Sequence, residues 1–183
     1  MDSYIEIKLK PDAELRLNWL LNAVYSKLHK ALFDIKANDI GVSFPNYKYT
    51  LGDTLRLHSS KRQLETLEQT NWLGGMIGYC QIEPVKPIPE NTQYRIFSRT
   101  QSNMTEAKLR RLMRRGSIAN TEVKAYRYKM LTQNLEAPYV EFVSGSNGHK
   151  HRRYIQLGDL LDNPTAGEFD TFGLSKTATV PWF

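Results

Sequence analysis

Apolar periodicity that reads β-α-β-β-α-β over the first 82 residues predicts an α+β protein with an N-terminal ferredoxin-like domain over residues 1–83. Two further observations complete the fold class. The proline-rich stretch EPVKPIPE marks a linker, set at 84–91, and the residues beyond it, 92–183, read as a smaller α+β domain. That second domain carries KLRRLMRRGS, residues 108 to 117, a segment with five cations in eight consecutive positions.

Residues 4 to 9 alternate, with Ile5, Ile7 and Leu9 on one side and Glu6 and Lys8 on the other, which predicts a half-buried strand ended by Pro11. Leu17, Leu20, Leu21, Val24, Leu28, Ala31 and Leu32 recur at helical spacing and predict a long helix over 13–34. IGVSFP follows as a short strand, LRLHS as another, KRQLETLEQT as a second helix and MIGYCQI as a strand. Pro84, Pro87 and Pro89 then exclude regular structure from the linker. The second domain reads as a strand at YRIFSRTQ, the arginine helix and a helix near 120 to 132. A strand at PYVEFV, a turn at SGSNG and a strand near RRYIQL lead into the C-terminal GLSKTATVPWF.

In the arginine segment Leu109, Leu112 and Met113 fall on one side at about 100° per residue, while Lys108, Arg110, Arg111, Arg114 and Arg115 spread over the other. Thr105 followed by Glu106 signals its start and Gly116 its end. Glu106 is the only carboxylate near enough for i,i+4 pairing, so the counterion for this face lies outside the chain. The net charge is +6, and from Arg95 to Lys129 ten cations meet only Glu106 and Glu122, a local +8 that leaves the rest at −2. Charge so concentrated points to nucleic acid or an acidic partner. HKHRR at 149 to 153 could extend the same field.

Cys80 is the only cysteine, which excludes an internal disulfide and cysteine-cluster zinc sites and fits a reducing cytoplasm. The N-terminus lacks the charged start and apolar run of a signal peptide, and no stretch is long and apolar enough to span a membrane. TLRLHS lacks the aromatics by which an RNA recognition motif stacks bases, so binding is expected through the arginine helix and not through the open face of the first sheet. The acids are scattered, with no DxD and no HExxH, so a metal-dependent nuclease is not indicated and no cofactor is expected. RNA can be cut without metal when the 2′-hydroxyl is the nucleophile and a histidine moves the proton. His29, at the edge of the apolar stripe of the first helix, is the histidine best placed for that work, although such a residue is ordinarily a packing group. Ser144 and Ser146 in VSGSNG are ordinarily turn formers.

KLH at 27 to 29, GVSFP at 41 to 45, SRTQ at 98 to 101, LRRLMRR at 109 to 115, GLSK at 173 to 176 and the terminal VPWF together resemble the CRISPR-associated repeat-processing endoribonuclease of type I-F systems. The resemblance runs from the first strand to the last residue. It implies a protein that binds the CRISPR repeat hairpin in a precursor transcript, cuts at the 3′ base of its stem to leave a 2′,3′-cyclic phosphate, and stays on the product within the interference complex beside other CRISPR-associated proteins. It implies that His29 is catalytic and that Ser144, with Ser146 nearby, positions the 2′-hydroxyl. Arg99 and Gln101 would read bases, and the helix arginines, mainly Arg111 and Arg115, would lie along the major groove. The family has a tyrosine immediately before the GLS segment where this chain has Phe172, and His151 stands where an aromatic stacks on the end of the stem. The residues alone leave open a hairpin-binding subunit without catalysis and a basic RNA-binding protein of ribosomal type.

Overall fold

The computed structural model describes residues 1–101, 105–133, 137–143 and 148–183, and the chain is mixed α and β with antiparallel sheets. The elements run β1 (Ser3–Leu9), α1 (Leu17–Asp34), β2 (Gly41–Ser43), β3 (Thr54–Ser59), α2 (Lys61–Gln69), β4 (Cys80–Ile82), β5 (Lys86–Pro87) and β6 (Gln93–Arg95). They continue with β7 (Phe97–Thr100), α3 (Glu106–Arg114), α4 (Val123–Gln133), β8 (Tyr139–Val143), β9 (Lys150–Leu157) and β10 (Val180–Trp182).

Four strands lie in the order β2-β3-β1-β4, all antiparallel to their neighbours, and β5 pairs with the end of β1. The register sets Ile5 opposite Leu57, Ile7 opposite Leu55 and Val42 opposite Leu57, so the alternating apolar residues share one face. Against that face pack Leu20, Val24 and Leu28 of α1 and Leu64 and Leu67 of α2, all fully buried. Burial of each such side chain contributes about 1.5–3 kcal/mol. The other face carries Tyr4, Glu6, Arg56 and His58, and the C-terminal residue covers it. The Phe183 ring lies edge-on to Tyr4 at 4.9 Å, and Arg56 stands 4.1 Å over that ring while donating to the Phe183 carbonyl at 2.7 Å.

The second sheet is β7-β9-β8, with Phe97 opposite Leu157 and Phe142 opposite His151. It packs on α1 through β8, where the Glu141 amide donates to Asn22 Oδ1 at 2.9 Å. One buried apolar cluster therefore joins Ile5, Leu28 and Leu57 to Phe97, Val140, Phe142 and Ile155.

Four expectations need correction. α1 begins at Leu17, later than residue 13, because Asp12 Oδ1 accepts from the Glu14 and Leu15 amides and holds those residues in a turn. Most of MIGYCQI is not strand, since Gly74–Tyr79 forms a 3-10 helix and only Cys80–Ile82 pairs with β1. The prolines do not exclude all pairing, for Lys86–Pro87 lies along Tyr4 and Ser3 at a sheet edge, where a missing N–H is tolerated. YRIFSRTQ is two strands on different partners, Gln93–Arg95 with β10 and Phe97–Thr100 with β9.

Candidate active site and nucleic-acid interface

His29 lies in the last third of α1, one position beyond the fully buried Leu28, and is half-buried. Its Nδ1 is 3.0 Å from the carbonyl oxygen of Thr171. A carbonyl can only accept, so Nδ1 carries the proton and the lone pair of the neutral ring stands on Nε2. The imidazole lies flat on Phe172, with ring centroids 3.7 Å apart and planes 9° from parallel. Phe142 of β8 stands edge-on to Phe172 at 5.1 Å.

The loop that supplies Thr171 and Phe172 is built by Asp170. Its Oδ1 accepts from the amides of Phe172 and Leu174 at 2.9 and 3.0 Å. Gly173 turns the chain at φ +69 and donates its amide to the Asp170 carbonyl, while its own carbonyl accepts from the Val42 amide. From below, the Tyr25 hydroxyl donates to the Phe172 carbonyl at 2.6 Å. Burial, then the Asp170 carboxylate, push that phenol well above the usual tyrosine range, with Arg153 opposing, so it stays a donor.

Phe172 and Asp170 also line a cleft of about 880 Å³ shared with Arg99, Gln101, Arg153 and Lys176. Arg99 and Gln101 are exposed and two residues apart at one sheet edge, with the Gln101 side-chain amide beside the Arg99 guanidinium. Arg153 is paired with Asp170 at 3.3 Å, and burial, followed by the neighbouring Arg99, draws its proton affinity below the ordinary arginine range, with Asp170 opposing. Three cations against Asp170 and Glu168 leave the cleft cationic.

The structure thus brings His29, Phe172, Arg99 and Gln101 around one loop. Phe172 is only 7% exposed, with both ring faces covered, so what it gives the site is a wall for His29. His151 is exposed and stacks on Phe142, with centroids 5.6 Å apart. Ser144 and Ser146 lie outside the described residues; the last pair before them sets Val143 opposite Lys150.

The arginine helix is capped as its sequence implies. Thr105 Oγ1 accepts from the Lys108 amide at 3.1 Å, and Gly116, at φ +68, lets Gly116 and Ser117 close bonds to Met113 and Leu112. Leu109 is fully buried, whereas Arg110, Arg111, Arg114 and Arg115 are exposed and Lys108 is partly covered. Glu106 is taken by Arg127 of α4 in a two-bond pair at 2.7 and 3.2 Å. Among the described residues none of the five helix cations forms an ion pair with a carboxylate. None of the five lines the cleft beside Phe172.

Sequence reasoning missed Tyr25, Asp170, Thr171 and Arg153. Arg153 sits in the run HKHRR, where nothing distinguishes it from its neighbours, while Asp170 followed by Gly173 carried a turn signal that could have been read. Among the described residues no three His, Cys, Asp or Glu side chains converge as metal ligands, and no helix is long and apolar enough to cross a membrane.

A helix-borne histidine with its acceptor nitrogen defined beside a cationic cleft, together with a separate capped helix of unmatched arginines, defines an α+β protein built to handle a polyanion. The chain belongs to the family described as CRISPR-associated protein (Cas_Csy4), which it matches over residues 4–183. It is 38% identical over 184 residues, the whole of both chains, to the CRISPR-associated endonuclease Cas6/Csy4 of Escherichia coli (strain UTI89 / UPEC). It is 36% identical over 187 residues, again the whole of both chains, to the protein of the same name from Pseudomonas aeruginosa (strain UCBPP-PA14). A solved structure described as an RAMP protein binding different RNA substrates aligns over 97% of this chain and 99% of its own at 14% identity and a TM-score of 0.36, a likeness too loose to fix the arrangement of the sheets.

Proposed function

We propose that this protein is an endoribonuclease that binds the hairpin of a CRISPR repeat in its precursor transcript and cuts at the 3′ base of the stem. The observation that carries the reading is the His29 imidazole, held by Thr171 so that Nε2 is the acceptor. Nε2 takes the proton of the 2′-hydroxyl, a 2′-oxygen to phosphorus bond forms, and the bond to the 5′-oxygen breaks as that oxygen takes a proton from water, leaving a 2′,3′-cyclic phosphate and a 5′-hydroxyl. This internal transesterification needs no metal or cofactor. Membership of the family supports the substrate.

Arg99 and Gln101 read base edges from the cleft, since arginine bonds guanine in two places and glutamine does the same for adenine. Lys108, Arg110, Arg111, Arg114 and Arg115 meet the phosphates that crowd the groove of a short hairpin. His151 stacks on the stem end, and Ser144, with Ser146, holds the 2′-hydroxyl in line. The product stays bound in the cytoplasm and joins other CRISPR-associated proteins in the interference complex. The ferredoxin-like assignment of residues 1–83 is supported by the strand order β2-β3-β1-β4, and the division at 84–91 by the second sheet lying wholly beyond it.

The test is incubation of purified protein with repeat RNA in excess chelator, beside the same RNA with one 2′-deoxy substitution at the scissile nucleotide. Cutting of the first and binding without cutting of the second is the expected result. A chelator-sensitive reaction, or a 2′-deoxy hairpin that is still cut, overturns the mechanism.

A further inference from the structure

Phe172 has two faces, and His29 covers only one. On the other, the Arg153 guanidinium carbon lies 3.4 Å from the ring centre. The order is guanidinium, phenyl, imidazole, each in van der Waals contact with the next, with Phe142 against the edge of the phenyl ring. Hydrogen bonding does not account for the place of Arg153. Its side chain is 11% exposed, its buried Nε has no partner, and its contact with Asp170 is a single one at 3.3 Å. It stands beside a second cation, Arg99, in a position that burial makes costly. What it does make is a cation–π contact over the whole outer face of Phe172.

We infer that Arg153 is a positioning residue for the cleavage reaction: its guanidinium clamps Phe172 from the cleft side and thereby fixes the plane of the His29 imidazole. The inference rests on the reading of the site as RNA-cleaving. Without Arg153 the outer face of Phe172 opens onto the 880 Å³ cleft, into which the ring can swing. His29 then keeps its bond to Thr171 but loses the wall that sets its rotation about that bond. Asp170 ties the two parts of the clamp together, one carboxylate oxygen on the Phe172 amide and the other on Arg153.

Two variants and two readouts test this. Arg153→Gln removes the stack, and Arg153→Lys keeps the charge but not the flat guanidinium. Both are expected to slow single-turnover hairpin cleavage roughly 10- to 100-fold, because misplacement acts at the reacting centre, and Arg153→Lys, which keeps the charge of the cleft, is expected to hold affinity within about twofold of the parent. In the RNA-free protein, the His29 ring protons, shielded by the stacked phenyl, are expected to move downfield in both variants. Recovery of the rate by Arg153→Lys, a loss confined to affinity, or unmoved ring protons would each overturn the inference. If the parent protein cuts no hairpin, the proposed reaction fails, and the ring-proton shifts still decide whether Arg153 sets the imidazole.

Discussion

Gly173 shows how closely the residues around His29 are constrained. At φ +69 an L side chain is strained, and a Cβ built there would come within 2.3 Å of Val42 Cγ2. Gly173→Ala should therefore destabilise the protein by about 2–5 kcal/mol, the sum of a left-handed conformation and an overpacked contact, measured by urea unfolding. It should also slow cleavage, since the displaced residue is next to Phe172. His29→Ala should abolish cutting while leaving hairpin affinity nearly intact, and a variant that cuts normally would return His29 to a packing role. Ser144→Ala should slow single-turnover cleavage on the order of 100-fold with binding preserved; an unchanged rate would make VSGSNG a turn and nothing more. The position of His29 on α1 was legible because one helix carries both it and the stripe Leu20 to Leu32. Its partners were not, because Thr171 lies 142 residues away and only the folded core brings the two together.

Among the elements, α3 is the one most fully written in its own residues. Its cap at Thr105, its stop at Gly116 and its buried Leu109 are local signals, and the absence of i,i+4 acids is visible from composition. What the sequence could not reveal is that Glu106, the one nearby carboxylate, pairs with Arg127 of the next helix and so links α3 to α4 instead of neutralising its own face. Arg111→Ala and Arg115→Ala should each weaken hairpin binding and lower the slope of log affinity against log salt by about one, as one phosphate contact is lost. Arg99→Ala should instead cost discrimination between hairpins that differ at the base of the stem. Equal losses on matched and mismatched hairpins would remove Arg99 from base reading. Elements defined by long-range pairing were harder to place: β4 is short because Gly74–Tyr79 forms a 3-10 helix that takes up the first four residues of the stretch MIGYCQI, which reads as strand.

At the scale of the whole molecule, the first sheet is closed on both faces, by α1 and α2 on one side and by the C-terminal segment on the other, and His58 is sealed between its strand and Phe183. His58 is fully buried, its Nε2 is 2.8 Å from Ser43 Oγ, and its Nδ1 has no partner. Burial, and secondarily the Arg56 charge, lower its pKa from 6.5 to about 3. The sign of the consequence is fixed by linkage. Above pH 6.5 the ring is neutral in both folded and unfolded chains and adds no pH dependence. Between 6.5 and about 3 the unfolded chain takes up a proton that the folded chain refuses, so stability falls as pH falls, with a slope approaching about 1.4 kcal/mol per unit. Most carboxylates titrate only near pH 4 and below, so the interval from pH 6.5 to 5 isolates histidine. Urea midpoints should decline across that interval for the parent protein. His58→Gln, which keeps a polar partner for Ser43 and cannot take up a proton there, should decline less by about one proton's worth of slope. Parallel curves for the two proteins would show that His58 is not the group whose protonation the closed sheet resists.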